Sequence, residues 1–597
     1  MSMTGPTLPL YFFCHAILFF MNYDIKRSLT VTERNQFGGI SDLMAHLLFH
    51  RGIVDSISAE KFLKPDYERD IHDPFLLKDA GKAADRIIQA IKDRQKIAIY
   101  ADYDADGIPG AAMFNDFFKR IGFDNFIIYI PHRHDEGFGL NEVAVGELAE
   151  QGVKLIITVD CGISDIQQVD IANGKGMNVI ITDHHEPPAQ LPAAFAIINH
   201  KQTDCAYPDK NLCGSGVAFK LIQAILAKDR LGLKEGHEKW FLDLLGIATL
   251  SDMVQLSGEN RAFAHYGLSV LRKSPRKGIR RIFSKLKIDQ RHLTEDDIGF
   301  MLTPRINAAS RMGVPMDAFN LLTADNDKDA IFYADHLDGI NAERKTAVAV
   351  LVKEVKKTLR ERDSVNTARV IVLGNPAWRP SLLGLAANSC AQEFDRPVFL
   401  WGRDGENVIK GSCRSEGRTS VVELMRAVST GVLTQFGGHR YSGGFTVHND
   451  MVHFLDQRLN EAFSGLVLSV SMQQKSEFQN ESCIDAELAM NDIDQVLYAD
   501  IARLGPFGTG NPKPTFLFHN VSPLSVRKFG KGGDHIELVF GRGSGGRISA
   551  IAFFGATEDW AKKLNPNMPI DLVASLEKSM YRNRAELRLR VIEVGFV

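Results

Sequence analysis

An apolar run that leads into a cluster of carboxylates, KIAIYADYDADGIPG at residues 96–110, most constrains what this chain can fold into. Its first part, KIAIY, predicts a short buried strand, and Asp102, Asp104 and Asp106 follow at alternate positions. A backbone that stays extended there would place the three carboxylates on one side of the chain. Gly107 then allows the backbone to turn. Taken alone, such a stretch is either a solvated acidic turn or part of a metal site.

The same construction recurs along the chain. The apolar run KLIITV leads to Asp160, and NVIIT leads to Asp183, His184 and His185. Helical segments separate these runs, and a repeat of strand, helix and strand predicts a parallel sheet. A further apolar run, FLDLLGIATLS, leads to Asp252, which we assign to the same strand-end context. Because ligands bind at the carboxyl ends of such strands, we expect these side chains to lie together.

The residue types in this set favour one class of metal. Carboxylate oxygens with one or two imidazoles suit Mn²⁺ or Mg²⁺. Two such ions about 4 Å apart position and activate a water and stabilise the leaving oxygen of a phosphodiester. Each residue alone also has a structural explanation, since Asp commonly caps helices and His pairs are often surface residues. The recurrence favours metal-assisted phosphoester hydrolysis.

Composition excludes few classes of protein. The 597 residues are enough for several domains, and the formal net charge of −3 gives no overall positive field. A local basic groove that binds nucleic acid is compatible with that total. The 7 cysteines contain no CxxC pair. They predict reduced thiols in a cytoplasmic protein and argue against a zinc site.

The N-terminal stretch LPLYFFCHAILFFM at residues 8–21 is apolar but short for a membrane span. No Lys or Arg precedes it, so it does not resemble a signal peptide. We expect translation to begin at Met21, with residues 1–21 a non-native or disordered extension. A short hydrophobic anchor is the alternative, and we otherwise expect no membrane association.

The remaining patterns predict a series of domains. They are an N-terminal helical segment at 22–70, a catalytic domain at 71–326, a long helix at 327–362, a Gly-rich domain of mixed strands and helices at 363–462, and a small β-barrel at 470–597. The basic run LRKSPRKGIRRIFSKLKI at 271–288 is either a DNA-binding face or an exposed helix.

The motifs DYDADG, VDCG and TDHH, with the later Asp252, resemble the signature motifs of the DHH phosphoesterase superfamily. Within it, FLKPDYERDIHDPFLL, YIPHRHDEGFGLN, NLCGSGVAFKL, ENR at 259–261 and PRINAASRMG at 304–313 are similar to the RecJ-type family of single-stranded-DNA-specific exonucleases. The resemblance continues in order from about residue 40 to the C-terminus. It implies an α/β fold: a parallel-sheet DHH catalytic domain, a connecting helix, a smaller α/β DHH-associated domain and a C-terminal OB-fold barrel.

The resemblance also implies an activity. It is metal-dependent 5′→3′ hydrolysis of single-stranded DNA in recombination and repair, with two Mn²⁺ or Mg²⁺ ions as cofactors. The implied partners are single-stranded DNA, a single-strand-binding protein and a helicase, and the chain is expected to be a monomer. One alternative is a phosphodiesterase for short oligonucleotides or cyclic dinucleotides, which usually lacks the barrel. Another is a non-catalytic DNA-binding scaffold, which tends to lose the acidic motifs.

Site residues follow from the positions that match the family motifs. The implied metal ligands are Asp104, Asp106, Asp160, His184 and Asp252, and Asp160 is expected to bridge the two ions. The implied catalytic residues are Asp160 and His185, which contacts phosphate and assists the leaving group. The implied nucleic-acid-binding residues are Arg305, Asn307, Arg311, Ser412, Arg414 and His439. In the barrel, the candidates are Arg527, Lys528, Lys531, Arg582 and Arg584, with Phe529 and Tyr581 for base stacking.

This sequence departs from the family pattern at several positions. Tyr100 stands where many relatives have a His that ligates the first metal, and Arg379 stands where an imidazole is expected. Further departures are Ala101, Pro109, Ser310 and the pair Ser442-Gly443. Because the implied metal ligands are all present, we expect catalysis, with metal affinity and substrate binding altered.

Overall fold

The computed structural model describes residues 23–361, 368–405, 407–470, 484–530, 532–543, 545–579 and 585–597. Residues 1–21, predicted as an extension, lie outside this part of the chain. The chain divides into two compact units. One contains the residues up to Lys64 together with 479–507 and 511–597, and the other contains 65–478 and 508–510. Among the described helices, none has both the length and the apolar content needed to cross a bilayer.

The N-terminal helices are short and individually capped. They are α1 (Val31–Asn35), α2 (Asp42–Phe49) and α3 (Ser56–Leu63). Thr30, Ser41 and Asp55 each cap one of them by accepting a backbone N–H bond. The sequence predicted helices here but not where they pack. The apolar face of α2 joins the hydrophobic core of the C-terminal strands, which explains why the segment belongs to that unit.

A parallel sheet with helices on both faces forms the first part of the larger unit. Its elements are α4 (Tyr67–Asp70), α5 (Ala80–Lys92), β1 (Lys96–Ala101), α6 (Gly107–Arg120), β2 (Phe126–Tyr129), α7 (Glu142–Glu150), β3 (Val153–Val159), α8 (Ile166–Gly174), β4 (Asn178–Thr182) and β5 (Ala196–Ile198). The strand order is β2-β1-β3-β4-β5, with every pairing parallel. Ile97 and Ile99 enter one core, whereas Ala98 and Tyr100 enter the core on the opposite face. This alternation, with both faces covered, confirms the predicted α/β class.

Helices complete this part of the unit. They are α9 (Gly214–Lys228), α10 (Leu242–Ser251), α11 (Gly258–Leu271), α12 (Lys277–Lys285), α13 (Thr303–Met312), α14 (Met316–Thr323) and α15 (Asp327–Glu361). A π-helical stretch at Asp297–Leu302 leads directly into α13. The predicted long connecting helix is α15.

The basic run at 271–288 forms a turn and α12. The helix buries Ile279, Ile282 and Phe283. Several of its charges are paired within the unit, such as Arg276, which contacts Asp116 and Asp243 at 2.7 Å each. The run therefore contains a packed helix, and part of its charge is neutralised.

The DHH-associated part that was predicted after α15 is a smaller sheet with helices. Its elements are β6 (Ile371–Gly374), α16 (Pro380–Phe394), β7 (Val398–Arg403), β8 (Ile409–Arg414), α17 (Val421–Val432), β9 (Leu433–His439), β10 (Ser442–Val447) and α18 (Leu455–Val470). The strand order is β6-β7-β8-β10-β9. The Gly-rich stretches are strands β8, β9 and β10, which pair antiparallel.

The C-terminal strands belong to the smaller unit. Its elements are β11 (Ala486–Glu487), α19 (Gln495–Ala502), β12 (Phe516–Val521), β13 (Pro523–Phe529), β14 (His535–Gly541), β15 (Arg547–Ala552), α20 (Asp559–Lys563), β16 (Ile570–Ser579) and β17 (Glu586–Phe596). The strand order is β11-β12-β16-β17-β15-β14-β13. Inward residues such as Leu538, Ala550, Leu572 and Leu589 are fully buried, in agreement with the predicted alternating strands.

Candidate metal centre

The acidic stretch after β1 is a tight loop that leads into a helix. The carboxylate of Asp104 accepts bonds from the backbone N–H groups of Asp106, at 2.7 Å, and Gly107, at 3.2 Å. Helix α6 begins at Gly107. A Cβ atom at that glycine would lie 2.4 Å from the carbonyl oxygen of Asp102. The extended geometry expected for the three carboxylates is therefore wrong: Asp102 and Asp104 contribute to one set of potential ligand atoms, and Asp106 contributes to another.

Asp106 is fixed by the N-terminus of α9. The backbone N–H groups of Gly214 and Ser215 donate to its two carboxylate oxygens at 2.6 and 2.8 Å. Partial positive charge at a helix N-terminus stabilises an ionised carboxylate. Gly214 carries no side chain because a Cβ atom there would lie 2.5 Å from the side chain of Asp160. The close approach of α9 thus brings two acidic residues from different strands together.

Asp160 and the two histidines follow the adjacent strands β3 and β4. Asp160 has a positive φ of 63°, and its Oδ1 lies 3.2 Å from Nε2 of His184. The Nδ1 of His184 lies 3.1 Å from the carbonyl oxygen of Leu212. Because a carbonyl only accepts, Nδ1 carries the proton and Nε2 presents a lone pair to the carboxylates.

Asp183 orients the other histidine. Its buried carboxylate lies 2.8 Å from Nδ1 of His185 and accepts the backbone N–H groups of His184 and Ile163 at 2.7 and 3.0 Å. These contacts hold the pKa of Asp183 below its usual value although burial opposes this. Burial also opposes protonation of His185, but the bond to Asp183 raises its pKa. Sequence reasoning placed Asp183 among the strand-end side chains but assigned it neither a metal-binding nor a catalytic role.

Asp252 is the residue for which the strand-end interpretation is wrong. The apolar run before it forms helix α10, which ends at Ser251, and Asp252 is the C-cap. Its carboxylate nevertheless lies 3.8 Å from Nδ1 of His184. A fully buried helix and a buried strand have similarly apolar sequences, so the pattern alone did not distinguish them.

Potential ligand atoms form three overlapping sets, each with its atoms within 4.8 Å of one another. The sets are Asp102, Asp104 and Asp160; Asp160, His184 and His185; and Asp106, His184 and Asp252. Asp160 and His184 each belong to two sets. Asp160 and His184 also line a cavity of about 260 Å³. Its lining residues are Asp102, Tyr103, Asp104, Arg133, Phe138, Asp160, His184, His185, Asp252, Asn307 and Arg311. The structure therefore brings all five predicted metal ligands together and adds Asp102.

Burial and, after it, charge repulsion shift the pKa values of this cluster. Burial, followed by the charge of Asp104, raises the pKa of Asp106 to about 6. Burial and the neighbouring carboxylates raise the pKa values of Asp102, Asp160 and Asp252 well above the usual range. Burial and the adjacent His185 lower the pKa of His184 to about 3, so its imidazole is neutral. A neutral imidazole is the form that binds a cation, and a bound cation would favour the ionised form of the crowded carboxylates.

The cluster fits divalent cations. Oδ1 of Asp102, Oδ1 of Asp160 and Oδ2 of Asp252 are buried without a hydrogen-bond partner among the described residues. Such groups are costly unless something compensates them. Carboxylate oxygens with one or two imidazole nitrogens match the ligand preference of Mn²⁺ and Mg²⁺.

Arginine side chains from other elements line the cavity or lie near it. Arg311, on α13, lines it, and burial together with the nearby Arg133, Arg344 and Arg414 lowers its pKa to about 9. Asn307, also on α13, accepts the backbone N–H of Ala105 at 2.9 Å and so supports the acidic loop. Arginines close enough to weaken one another's protonation form a site that an anionic phosphate would stabilise.

Other predicted DNA-binding residues lie elsewhere. Arg305 does not reach the cavity, because its guanidinium contacts Asp338 on α15 at 2.8 Å. It lies on the face of α13 that packs against the long helix. Ser412, on β8, does not line the cavity. The side chain of His439 is outside the described part of the chain.

Two departures from the family pattern have structural explanations. Tyr100 does not line the cavity; it is fully buried, and its hydroxyl donates to the carbonyl oxygen of Gly139 at 2.9 Å. The expectation that this residue leaves a gap at a metal site is therefore not supported by its position. Pro109 lies in the first turn of α6, where a missing N–H removes no helical bond.

Sequence reasoning missed four residues of the cavity wall or gave them no firm role: Asp102, Tyr103, Arg133 and Phe138. Arg133 and Phe138 belong to the loop after β2, which is adjacent to β1 in the sheet. Loops that follow neighbouring parallel strands meet at one edge of the sheet. The position of Arg133 and Phe138 directly after a predicted strand could therefore have indicated that they lie near the site.

Comparison with known proteins gives consistent matches along the chain. Residues 96–249 match the DHH family, N-terminal domain; residues 363–465 match the DHHA1 domain; and residues 484–593 match the RecJ OB domain. The single-stranded-DNA-specific exonuclease RecJ of Bacillus subtilis (strain 168) is 34% identical over 555 residues, which cover 92% of this chain and 68% of that protein. The protein of the same name from Haemophilus influenzae is 31% identical, with 85% and 89% covered.

Solved structures agree with these matches. RecJ from Thermus thermophilus in complex with Mn²⁺ has a TM-score of 0.77 and 25% identity, and the match covers 96% of this chain and 79% of that one. A structure of exonuclease RecJ bound to manganese has a TM-score of 0.55 and 31% identity, with 65% and 95% covered. The predicted fold class, including the OB-fold, is confirmed.

Proposed function

This chain belongs to the RecJ family of single-stranded-DNA-specific exonucleases, and we propose which of its residues carry out the reaction and from which end it degrades the strand. The chain is an exonuclease that hydrolyses phosphodiester bonds in single-stranded DNA. Its cofactors are divalent metal ions, Mn²⁺ or Mg²⁺. Neither alternative function gains support from these relatives.

The shared position of Asp160 is the observation that carries the residue assignment. It belongs to two ligand sets, and its Oδ1 is buried without another partner among the described residues. We assign one ion to Asp102, Asp104 and Asp160, and the other to Asp106, Asp160, His184 and Asp252. When bound, the two ions supply an activated water and neutralise charge on the phosphate.

Protein groups then hold the substrate and the protons. The bond from Nδ1 of His185 to Asp183 leaves Nε2 to face the substrate, and the raised pKa favours the protonated form. His185 is thereby suited to donate to a phosphate oxygen or to the leaving oxygen. Arg311, with Arg133 and Arg414 nearby, supplies positive charge for phosphate groups.

The finer properties are proposals that rest on family membership. We propose 5′→3′ polarity and action as a monomer in recombination and repair. Because the substrate is single-stranded DNA, a single-strand-binding protein and a helicase are the natural partners, and the cytoplasm is the natural compartment. Ser412 and His439 remain predicted DNA contacts of the DHH-associated part.

A labelled-oligonucleotide assay tests the proposal. Single- and double-stranded DNA, labelled at the 5′ or the 3′ end, and a dinucleotide are incubated with Mn²⁺, Mg²⁺ or chelator. We expect metal-dependent release of the 5′ label as mononucleotide from single strands only. Asp160→Asn should abolish this release, whereas the control Asp124→Asn, whose side chain is 83% exposed, should not. Cleavage of the dinucleotide alone, or release of the 3′ label first, would contradict the proposal.

A further inference from the structure

One buried side-chain amide joins two loops that support the candidate metal centre. Asn260, near the start of α11, is fully buried. Its Nδ2 donates to the backbone carbonyl oxygens of Asn211 at 2.7 Å and Gln255 at 3.2 Å. Its Oδ1 is buried without a hydrogen-bond partner among the described residues, which costs free energy. The position thus uses both N–H groups of the amide and leaves its oxygen unpaired, which indicates that the two donors are what the position requires.

The loop that contains Asn211 leads to contacts of two predicted metal ligands. The next residue, Leu212, has the carbonyl oxygen that lies 3.1 Å from Nδ1 of His184. Helix α9 begins two residues later at Gly214, whose backbone N–H donates to the carboxylate of Asp106 at 2.6 Å. A shift of this loop would therefore disturb the contacts that orient both ligands.

The loop that contains Gln255 carries a third predicted ligand. Asp252 is the C-cap of α10, and Met253 has a φ of 58°, so the chain changes direction directly after the ligand. Oδ2 of Asp252 is buried and accepts no hydrogen bond from the described residues, so the surrounding backbone sets its position. The backbone N–H of Leu256 donates to the carbonyl oxygen of Thr509 at 2.8 Å, which gives this loop a second anchor besides Asn260.

The ligands that depend on these two loops form one of the three sets of potential ligand atoms. The members of this set are Asp106, His184 and Asp252. The loop that carries Asp102 and Asp104 is supported separately, because Asn307 accepts the backbone N–H of Ala105 there at 2.9 Å. The bonds of Asn260 therefore support the ligands of one ion more directly than those of the other.

We propose that Asn260 is a positioning residue for one of the two ions: its amide holds the two loops together and so fixes His184 and Asp252 relative to each other. This inference rests on the proposed function, because it requires the ion pair assigned there. Asn260 does not line the cavity, so it acts through the loops and does not contact the substrate. Groups that orient metal ligands in this way typically contribute about 10- to 100-fold to metal affinity.

The alternative role of Asn260 is to stabilise the fold without any effect on the ions. Asn260→Ala removes the amide, and Asn260→Leu removes it but fills its volume, which guards against a variant that fails to fold. Asn511→Ala is the matched control. Asn511 is also buried, and its Nδ2 donates to the carbonyl oxygens of Leu504 and Pro506 at 2.8 and 2.9 Å, but it belongs to the smaller unit.

Binding of Mn²⁺ to the full chain tests the proposal without cleavage. Electron paramagnetic resonance during a titration counts the bound ions and distinguishes a coupled pair from a single ion. We expect the wild type and Asn511→Ala to fill two sites and to give the coupled spectrum. Asn260→Ala and Asn260→Leu should bind one ion with nearly the wild-type affinity and the other at least about tenfold more weakly, so that a single-ion spectrum appears at intermediate Mn²⁺ concentrations.

Two further readouts separate positioning from loss of stability. In Asn260→Ala, the Mn²⁺ concentration for half-maximal cleavage should rise at least about tenfold, and saturating Mn²⁺ should restore most of the rate, because the ligands themselves are unchanged. In a double-mutant cycle, Asn260→Ala should lower Mn²⁺ affinity little further when Asp252→Asn is already present, since both changes act on the same ion.

The outcomes that would overturn the proposal are specific. Wild-type affinity for both ions in the Asn260 variants would refute it, and so would an equal loss of affinity in Asn511→Ala. Rates that saturating Mn²⁺ does not restore would favour the purely structural role. A wild type that cleaves single-stranded DNA and binds two ions, with no effect of the Asn260 variants, refutes this inference alone. Absence of metal-dependent cleavage by the wild type refutes the proposed function.

Discussion

Ser215 holds Asp106 at two points. Its backbone N–H donates to the carboxylate at 2.8 Å, and its hydroxyl donates to the backbone carbonyl oxygen of the same aspartate at 2.5 Å. Both residues are buried. The N-terminus of α9 therefore sets both the position of the loop after β1 and the direction of one carboxylate.

Ser215→Ala tests this relationship. The variant keeps the backbone bond and loses the hydroxyl bond, and it leaves a buried carbonyl without that donor. We expect the free energy of unfolding to fall by about 1 kcal/mol and the affinity for Mn²⁺ to fall severalfold. Thermal unfolding and calorimetric titration measure the two effects. Ser269→Ala is a suitable control, because its hydroxyl also donates to a backbone carbonyl, on α11. Unchanged Mn²⁺ affinity in Ser215→Ala would show that the hydroxyl does not position the ligand.

Asp160→Asn should remove both ions together, whereas Asp106→Asn should mainly weaken one. Loss of the metal pair should cost at least about 10³-fold in rate, at roughly 1.36 kcal/mol per factor of ten. The metal-free variant should melt at a higher temperature than the metal-free wild type, because it removes one of several repelling carboxylates. Single-turnover cleavage and thermal melts with and without Mn²⁺ provide the measurements. A fully active Asp160→Asn would refute the two-ion assignment.

The raised pKa of Asp106 predicts how stability depends on pH in the metal-free protein. With a pKa of about 6 in the folded state and an ordinary value near 3.9 when unfolded, the folded form holds a proton that the unfolded form has released. The contribution of Asp106 to the free energy of unfolding should therefore be greatest below about pH 4 and should be lost as the pH rises through 6.

Thermal melts at pH 4.5 and 7 can isolate this effect. From pH 4.5 to pH 7, the melting temperature of the metal-free wild type should fall relative to that of Asp106→Asn. Saturating Mg²⁺ should reverse the trend, because the metal competes with protons for the carboxylates. A wild type that gains stability relative to Asp106→Asn as the pH rises without metal would contradict the prediction.

We predict that the C-terminal unit binds DNA through the surface around Phe553 and Phe554, and point variants can test this. The guanidiniums of Arg588 and Arg590 lie 5.6 and 5.5 Å from the ring of Phe553, and the neighbouring Phe554 is 70% exposed. Phe554→Ala should weaken binding of single-stranded DNA about tenfold with little change in salt dependence. Arg590→Ala should weaken binding and reduce the slope of log affinity against log salt by roughly 0.7.

Arg527→Ala is the control for these variants. Arg527 was a predicted DNA contact, but its guanidinium contacts Glu537 at 2.6 Å. Lys531, Tyr581, Arg582 and Arg584 lie outside the described residues. Deletion of the C-terminal strands alone is a poor test, because the apolar face of α2 packs in their core and would be exposed. If Arg527→Ala reduced the affinity for single-stranded DNA as much as Arg590→Ala, the predicted location of the DNA-binding surface would be wrong.

The sequence determined the parts of this protein that depend on local pattern. Apolar runs of strand length, separated by helical segments, predicted the parallel sheet, and the carboxylates and imidazoles at the strand ends predicted a site for hard cations. Chain direction within a parallel sheet makes this possible, because it brings the carboxyl ends of distant strands to one edge.

Tertiary structure decided which residues within these segments face one another. Asp252 reaches the site from the end of a helix, and Arg305 contacts Asp338 and not the cavity. Tyr100 donates a hydrogen bond to the loop at Gly139 and does not bind a metal. Residues before Lys64 join the core of strands more than 400 positions later in the chain. Periodicity specifies which face of an element is buried, but the partner of that face depends on how separate elements pack, and that information is distributed over the whole chain.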